Sequence, residues 1–103
     1  MIKKQFVKTR QVTKLTFELP KDIEFDNIHL LAEFNNWEPV AFEHLKNGKW
    51  KLVQEVSKAG AYEFRYMSKQ DEDYHFFNDD SADQHVDNAL GTTNSVVECQ
   101  LAS

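Results

Sequence analysis

The 103-residue chain is poor in cysteine, proline, glycine and positive charge. It contains one cysteine, two prolines and three glycines, and its formal net charge at pH 7 is −5. The single cysteine, Cys99, excludes an internal disulfide, and the polar N-terminal segment lacks the apolar core of a secretion signal, so we expect a cytoplasmic protein. No run approaches the roughly 20 apolar residues of a membrane helix. Because an acidic surface repels phosphates, neither nucleic acid nor a membrane is an expected partner.

Sequence patterns typical of catalysis, metal binding and cofactor binding are also missing. The four histidines are scattered, and the acidic run at residues 79–83 lacks the glycine and glutamate of a calcium-binding EF-hand. There is no nucleophile elbow and no glycine-rich phosphate loop. Acidic residues are too abundant for any one pair to indicate a glycosidase. The sequence therefore predicts no enzymatic activity, no metal site and no cofactor.

The chain is rich in large apolar side chains, which alternate with polar ones. Hydrophobic residues make up 41% and aromatic residues 13% of the sequence, enough for one domain, residues 1–103, with its own core. The alternation recurs in four segments, residues 15–19, 28–32, 50–56 and 62–66. A period of two is typical of half-buried strands, so we predict an all-β fold, a β-sandwich of about seven short antiparallel strands. In the last of these segments, Arg65 must project from the face opposite to its aromatic neighbours.

Turn signals separate the predicted strands. They are Asn47-Gly48, a strong hairpin signal, and Ala59-Gly60. We further expect a polar hairpin or loop at residues 68–73, an acidic loop that extends to about residue 88, and a last strand at residues 96–101. Phe76 and Phe77 are adjacent, so one must face the core and the other the solvent, and we favour Phe76 as the exposed ring.

The two tryptophans occupy different settings. Trp37 follows Asn35-Asn36, a turn signal, where its ring either covers the core or offers a flat exposed surface to a ring-shaped ligand. Trp50 is in register with the apolar positions of its strand, so we expect it to be an ordinary core residue.

Five short segments follow one another along the chain: FNNW at 34–37, NGKWKL at 47–52, AYEFRY at 61–66, ND at 78–79 and LGTTNSVVE at 90–98. Their identity and order resemble those of carbohydrate-binding module family 48. That family is the early-set, immunoglobulin-like domain found before the barrels of isoamylases and glycogen branching enzymes. It also forms the glycogen-binding domain of the AMP-activated protein kinase β subunit. Any one of the segments would be weak, but five in matching order make chance agreement improbable.

The resemblance implies an immunoglobulin-like, early-set β-sandwich that binds an α-1,4-linked glucan such as glycogen, starch or a maltooligosaccharide. It implies no catalysis, since the chemistry of those enzymes belongs to a separate barrel, and it makes a glycogen-metabolism enzyme a candidate protein partner. A sugar needs flat aromatic surfaces for its C–H faces and polar groups for its hydroxyls. Carried over position by position, the predicted carbohydrate-binding residues are Trp37, Arg65, Phe76, Leu90, Thr92 and Asn94.

The chain departs from the family at the second stacking position. Where the family commonly has tryptophan this chain has Phe76, and Tyr74 competes for the same role. The smaller ring predicts weak binding, with a dissociation constant from about 10 μM to millimolar, or roughly −4 to −7 kcal/mol. Two alternatives stay open. Arg65 pairs with Glu63 or Glu55 as an ordinary surface residue, or the whole domain is a protein-docking module with little or no glycan binding.

Overall fold

The chain folds into two antiparallel β-sheets that share one core. The computed structural model describes residues 2–23, 25–88 and 91–99. In spatial order, the four-stranded sheet consists of β1 (Ile2–Val7), β2 (Val12–Leu19), β6 (Trp50–Val56) and β5 (Glu43–His44). The six-stranded sheet consists of β4 (Val40–Ala41), β3 (His29–Ala32), β7 (Gly60–Gln70), β10 (Thr93–Cys99) and β9 (Gln84–Asp87), with β8 (Asp73–Phe77) paired to the C-terminal part of β7. The predicted all-β, sandwich-like fold is therefore confirmed.

The core forms where the apolar positions of the two sheets meet. Along β2 every second residue is buried, as the period of two predicts. Phe17 of β2 contacts Phe64 and Tyr66 of β7 edge to face, with ring centroids 5.5 and 6.4 Å apart. Trp50 is 3% exposed and stacks on His44 at 3.9 Å, which confirms that it is a core residue. Each such large side chain contributes roughly 1.5–3 kcal/mol by leaving water.

The expected number of about seven strands is wrong, because the described residues form ten. The additional strands are β1, β4, β5 and β9, and each lies at a sheet edge. A strand at an edge needs only one row of backbone hydrogen bonds and little apolar alternation, so its sequence carries a weak signal. In β1, Lys4 is in register with the buried Leu15 and forms an ion pair with Asp83 at 2.5 Å.

The polar segment at residues 68–73, expected to be a hairpin or a loop, is a hairpin. β7 continues to Gln70, and β8 begins at Asp73 after a two-residue turn in which Asp71 has a φ of 56°. The Asn47-Gly48 turn is confirmed: Gly48 has a φ of 89°, and Leu45 and Lys49 close the hairpin between β5 and β6 with a backbone hydrogen bond of 2.8 Å. The helical structure within the described ranges is a short 3-10 turn, Glu33–Asn35, and no helix there is long and apolar enough to cross a membrane.

Candidate functional site

The outer face of the six-stranded sheet carries an open groove. β7 is central to this face, because β3 pairs with one of its edges while β8 and β10 pair with the other. Phe64 and Tyr66 point into the core, so Arg65 between them points outwards, as predicted, in register with Leu31 of β3. The groove has a volume of about 480 Å³. It is lined by Leu31, Trp37, Arg65, Phe76, Asn88, Thr92 and Asn94.

Trp37 reaches the groove through an unusual turn. After the 3-10 turn, Asn36 and Trp37 both adopt left-handed backbone conformations, with φ of 55° and 61°. The Trp37 N–H donates to the carbonyl of Ala32 at 2.9 Å, which closes the turn against the end of β3. Such a conformation costs of order 1–3 kcal/mol for a bulky residue and persists only where its surroundings hold it. The indole is 41% exposed, so Trp37 presents a surface to solvent and is not a lid on the core.

Arg65 and Phe76 form a cation–π pair in the groove. The Arg65 Cζ lies 4.9 Å from the centroid of the Phe76 ring, which is itself 47% exposed. The carboxylates that the sequence offered as partners are engaged elsewhere, Glu63 with Asn94 and Glu55 with Arg10. Among the described residues Arg65 forms no ion pair, and its buried Nε has no hydrogen-bond partner. The Arg65 guanidinium thus stacks on Phe76, and its Nε remains without a hydrogen-bond partner in the described part of the chain.

The orientation of β8 distinguishes the aromatic residues that compete for the second stacking position. Phe77 points inwards, where its ring lies 5.3 Å from Tyr66 and 5.7 Å from Phe25, so Phe76 points outwards as predicted. Tyr74 is also exposed, but it pairs with Lys69 of β7, whose Nζ lies 5.7 Å from the ring. Tyr74 does not line the groove. Phe76 is therefore the ring of β8 that lies beside Arg65.

Asn94 lies at the centre of a side-chain hydrogen-bond network. Its Nδ2 donates to Glu63 Oε1 at 3.1 Å, and its Oδ1 accepts from Asn88 Nδ2 at 3.0 Å. Asn88 Nδ2 also donates to the Thr92 hydroxyl at 2.8 Å, and the Thr92 N–H donates to Asn88 Oδ1 at 3.3 Å. Amide and hydroxyl groups therefore form the polar side of the groove.

A buried polar cluster holds the end of β8 to the rest of the sheet. The Tyr66 hydroxyl donates to Asp79 Oδ2 at 2.6 Å, and Ser81 donates through its N–H and hydroxyl to Asp79 Oδ1 at 2.8 and 2.5 Å. Burial acts to raise the pKa of Asp79, but the hydrogen bonds from Ser81 and Tyr66 outweigh it and lower that pKa below its ordinary value. Burial and the adjacent Asp79 carboxylate raise the pKa of Tyr66 well above its usual range. Ser95 accepts from the Asp79 N–H and donates to Asn78 Oδ1, both at 3.0 Å, which joins β10 to this cluster.

Five of the six residues predicted to form the site line this one groove, and the sixth, Leu90, lies outside the described residues. The sequence did not identify Leu31 or Asn88 as lining residues, or Glu63 as a partner of Asn94. Leu31 could have been found from its register, because it is an outward position of a strand beside Arg65. Asn88 and Glu63 are found only from the pairing of β9, β10 and β7.

The groove combines chemistry suited to a flat, polyhydroxylated molecule. Exposed rings offer apolar faces, while the Arg65 guanidinium and a set of amides and hydroxyls offer donors and acceptors. Comparison with known proteins finds no matching protein-family model and no matching curated protein. The geometry and chemistry of the groove are therefore the basis on which function is inferred.

Proposed function

We propose that the protein binds an α-1,4-linked glucan, such as glycogen, starch or a maltooligosaccharide, in this groove. The observation that carries the proposal is the common location of Trp37, Phe76 and Arg65 in one open groove. Trp37 follows β3 and Phe76 lies in β8, on opposite sides of the strand that carries Arg65. Two aromatic surfaces separated by a cation allow stacking on sugar rings while the hydroxyls bond to the fork of the guanidinium.

The resemblance to carbohydrate-binding module family 48 supports the same ligand and an immunoglobulin-like, early-set topology for the sandwich. A protein-docking module would be favoured by a Trp37 that is buried in the core, whereas this indole is 41% exposed. The proposal is one of binding without catalysis, as the resemblance to an accessory domain implies. In this role the domain would bring a partner, such as a cytoplasmic enzyme of glycogen metabolism, to stored polysaccharide.

Isothermal titration calorimetry with maltoheptaose tests the proposal, with cellohexaose as the ligand of the wrong linkage. The wild-type protein is expected to bind maltoheptaose with a dissociation constant between about 10 μM and a few millimolar. Trp37→Ala and Phe76→Ala should each weaken binding about tenfold or more, a loss of roughly 1.4 kcal/mol. Calorimetry is preferred to fluorescence because Trp37→Ala removes the exposed reporter and leaves only the buried Trp50.

Tyr74→Ala is the matched control for Phe76→Ala. Both residues are exposed aromatics of β8 that stack with a cation of β7, but only Phe76 lines the groove. Tyr74→Ala should therefore leave the affinity unchanged. The absence of saturable binding by the wild-type protein up to ~10 mM maltoheptaose, weaker than about −4 kcal/mol, would rule the proposal out.

A further inference from the structure

The Asn94 side chain is engaged at both ends by residues of different strands and loops. On one side is the carboxylate of Glu63, in β7, and on the other is the amide of Asn88, which follows β9. A carboxylate can only accept a hydrogen bond, so the nitrogen of the Asn94 amide must face Glu63 and its oxygen must face Asn88. These two contacts define a single orientation for an amide that would otherwise have two.

The partners of Asn94 are themselves held in place. Asn88 forms a backbone hydrogen bond from its N–H to the Thr92 carbonyl at 2.9 Å, and its Oδ1 accepts from the Thr92 N–H at 3.3 Å. The Glu63 N–H donates to Glu33 Oε1 at 2.6 Å, and Glu63 belongs to the central strand of the sheet. The hydrogen bonds between Glu63 and Asn94 and between Asn94 and Asn88 therefore form a relay that links β7 to the loop after β9. The residues at both ends of this relay are held in place.

The relay leaves part of the Asn94 amide for a ligand. One of the two Nδ2 hydrogens is used by Glu63, and one of the two Oδ1 lone pairs is used by Asn88. Asn94 is 8% exposed and is one of the residues that line the groove. A bound molecule would thus meet one hydrogen-bond donor and one acceptor of Asn94. The relay determines their order in space, with the donor on the side of Glu63 and the acceptor on the side of Asn88.

We propose that Glu63 and Asn88 are positioning residues that fix the order of donor and acceptor which Asn94 presents to the groove. They would thereby select ligands whose neighbouring hydroxyls match that order. This inference rests on the proposed function, since it takes the ligand to be a polyhydroxylated α-glucan.

Two substitutions and their combination test the relay. Glu63→Gln keeps an oxygen that accepts from Asn94, so the orientation persists and the affinity for maltoheptaose should stay within about twofold of wild type. Asn88→Asp keeps the acceptor for the Thr92 N–H but places a carboxylate against the oxygen of Asn94. This variant should have a lower thermal midpoint, and it should bind maltoheptaose about three- to tenfold more weakly.

The double variant, Glu63→Gln with Asn88→Asp, separates positioning from simple structural support. The new amide at position 63 can donate to a reversed Asn94, whose nitrogen then donates to the new carboxylate at position 88. Because Asn88 itself lines the groove, the affinity of the double variant is compared with that of Asn88→Asp, which shares the change at position 88. We expect the thermal midpoint to recover most of the loss seen in Asn88→Asp, while the affinity for maltoheptaose does not rise above that of Asn88→Asp because the groove now presents the reversed order. A purely structural role predicts that the affinity recovers together with the midpoint.

The outcomes distinguish this inference from the function on which it rests. If wild-type protein does not bind maltoheptaose, the proposed function fails, and the thermal midpoints of the four proteins still report whether the relay can be reversed. If wild-type protein binds and the double variant regains both midpoint and affinity, the positioning role is overturned. A double variant no more stable than Asn88→Asp would overturn the relay itself.

Discussion

The outer faces of the two sheets differ in what their exposed residues contact. On the four-stranded sheet, the register places Lys14 opposite Glu55 and Glu18 opposite Lys51. Glu18 also forms an ion pair with Lys3 at 3.3 Å. Glu55 forms an ion pair with Arg10, and the side chains of both ion pairs remain partly exposed, as is typical of a solvated sheet face.

On the six-stranded sheet the exposed groups are not satisfied in this way. Trp37 is 41% exposed and belongs to a left-handed turn, and Arg65 stacks on an aromatic ring without an ion-pair partner among the described residues. Exposure alone does not separate the two faces, because Val53 on the four-stranded sheet is 39% exposed. The comparison shows that the two faces differ in whether their polar and aromatic groups have complete interactions, and it is this difference that makes the six-stranded face the proposed binding face.

The largest loss of stability is expected from a cavity in the core that lies between the two sheets. Phe17→Ala deletes a fully buried ring that contacts Phe64 and Tyr66, and the resulting cavity should lower the free energy of unfolding by about 3–5 kcal/mol. Urea denaturation followed by circular dichroism measures this loss. Val53→Ala is the surface control and should change stability by about 0.5 kcal/mol or less. A loss below ~1 kcal/mol for Phe17→Ala would mean that the two sheets do not share this core.

The same core explains why the fold could largely be predicted from the sequence. The alternation at residues 15–19 and 62–66 reflects burial on one face, and burial is the strongest signal that a strand leaves in a sequence. β9 gave no such signal, because only one of its residues, Val86, is apolar and partly buried. Its backbone hydrogen bonds to β10 define it, and these depend on a partner that is distant from its own local pattern.

The second-largest loss of stability is expected from the buried polar cluster around Asp79, beneath the six-stranded sheet. Acid should weaken this cluster. Because the pKa of Asp79 is lowered in the folded protein, its contribution to stability is complete above about pH 4 and is lost as the pH falls through the folded pKa. Asp79→Asn should lower the free energy of unfolding by about 1–3 kcal/mol at pH 7, and the difference from wild type should shrink towards pH 3.

Urea midpoints of both proteins at pH 7 and pH 3 measure this dependence, and Asp80→Asn provides the exposed neighbour as a control. Asp80→Asn should follow the wild-type curve at both pH values, since the side chain is exposed. A difference between Asp79→Asn and wild type that is equal at the two pH values would show that the Asp79 carboxylate does not support this face through its charge.

Apart from the residues that the family resemblance suggests, the sequence points to a site residue only where that residue signals its own role. Trp37 beside a turn is conspicuous, and Arg65 points away from the core by simple alternation. Glu63 and Asn88 are ordinary polar residues in the sequence and acquire a role only when β7, β9 and β10 bring them to either side of Asn94. Glu63 is 31 residues from Asn94 along the chain, and their contact is set by the pairing of β7 with β10, which local patterns do not specify.

The smallest change in stability is expected from the ion pair between Lys3 and Glu18 on the four-stranded sheet. A double-mutant cycle of Lys3→Ala and Glu18→Ala should give a coupling energy of about 0.2–1 kcal/mol, because both side chains are solvated and the attraction between them is screened. The coupling should decrease further in 1 M salt, where the screening length is about 3 Å. Neither variant should change the affinity for maltoheptaose, since the pair lies on the sheet opposite the groove. A loss of affinity comparable to that of Trp37→Ala would contradict the assignment of the proposed binding site to the six-stranded face alone.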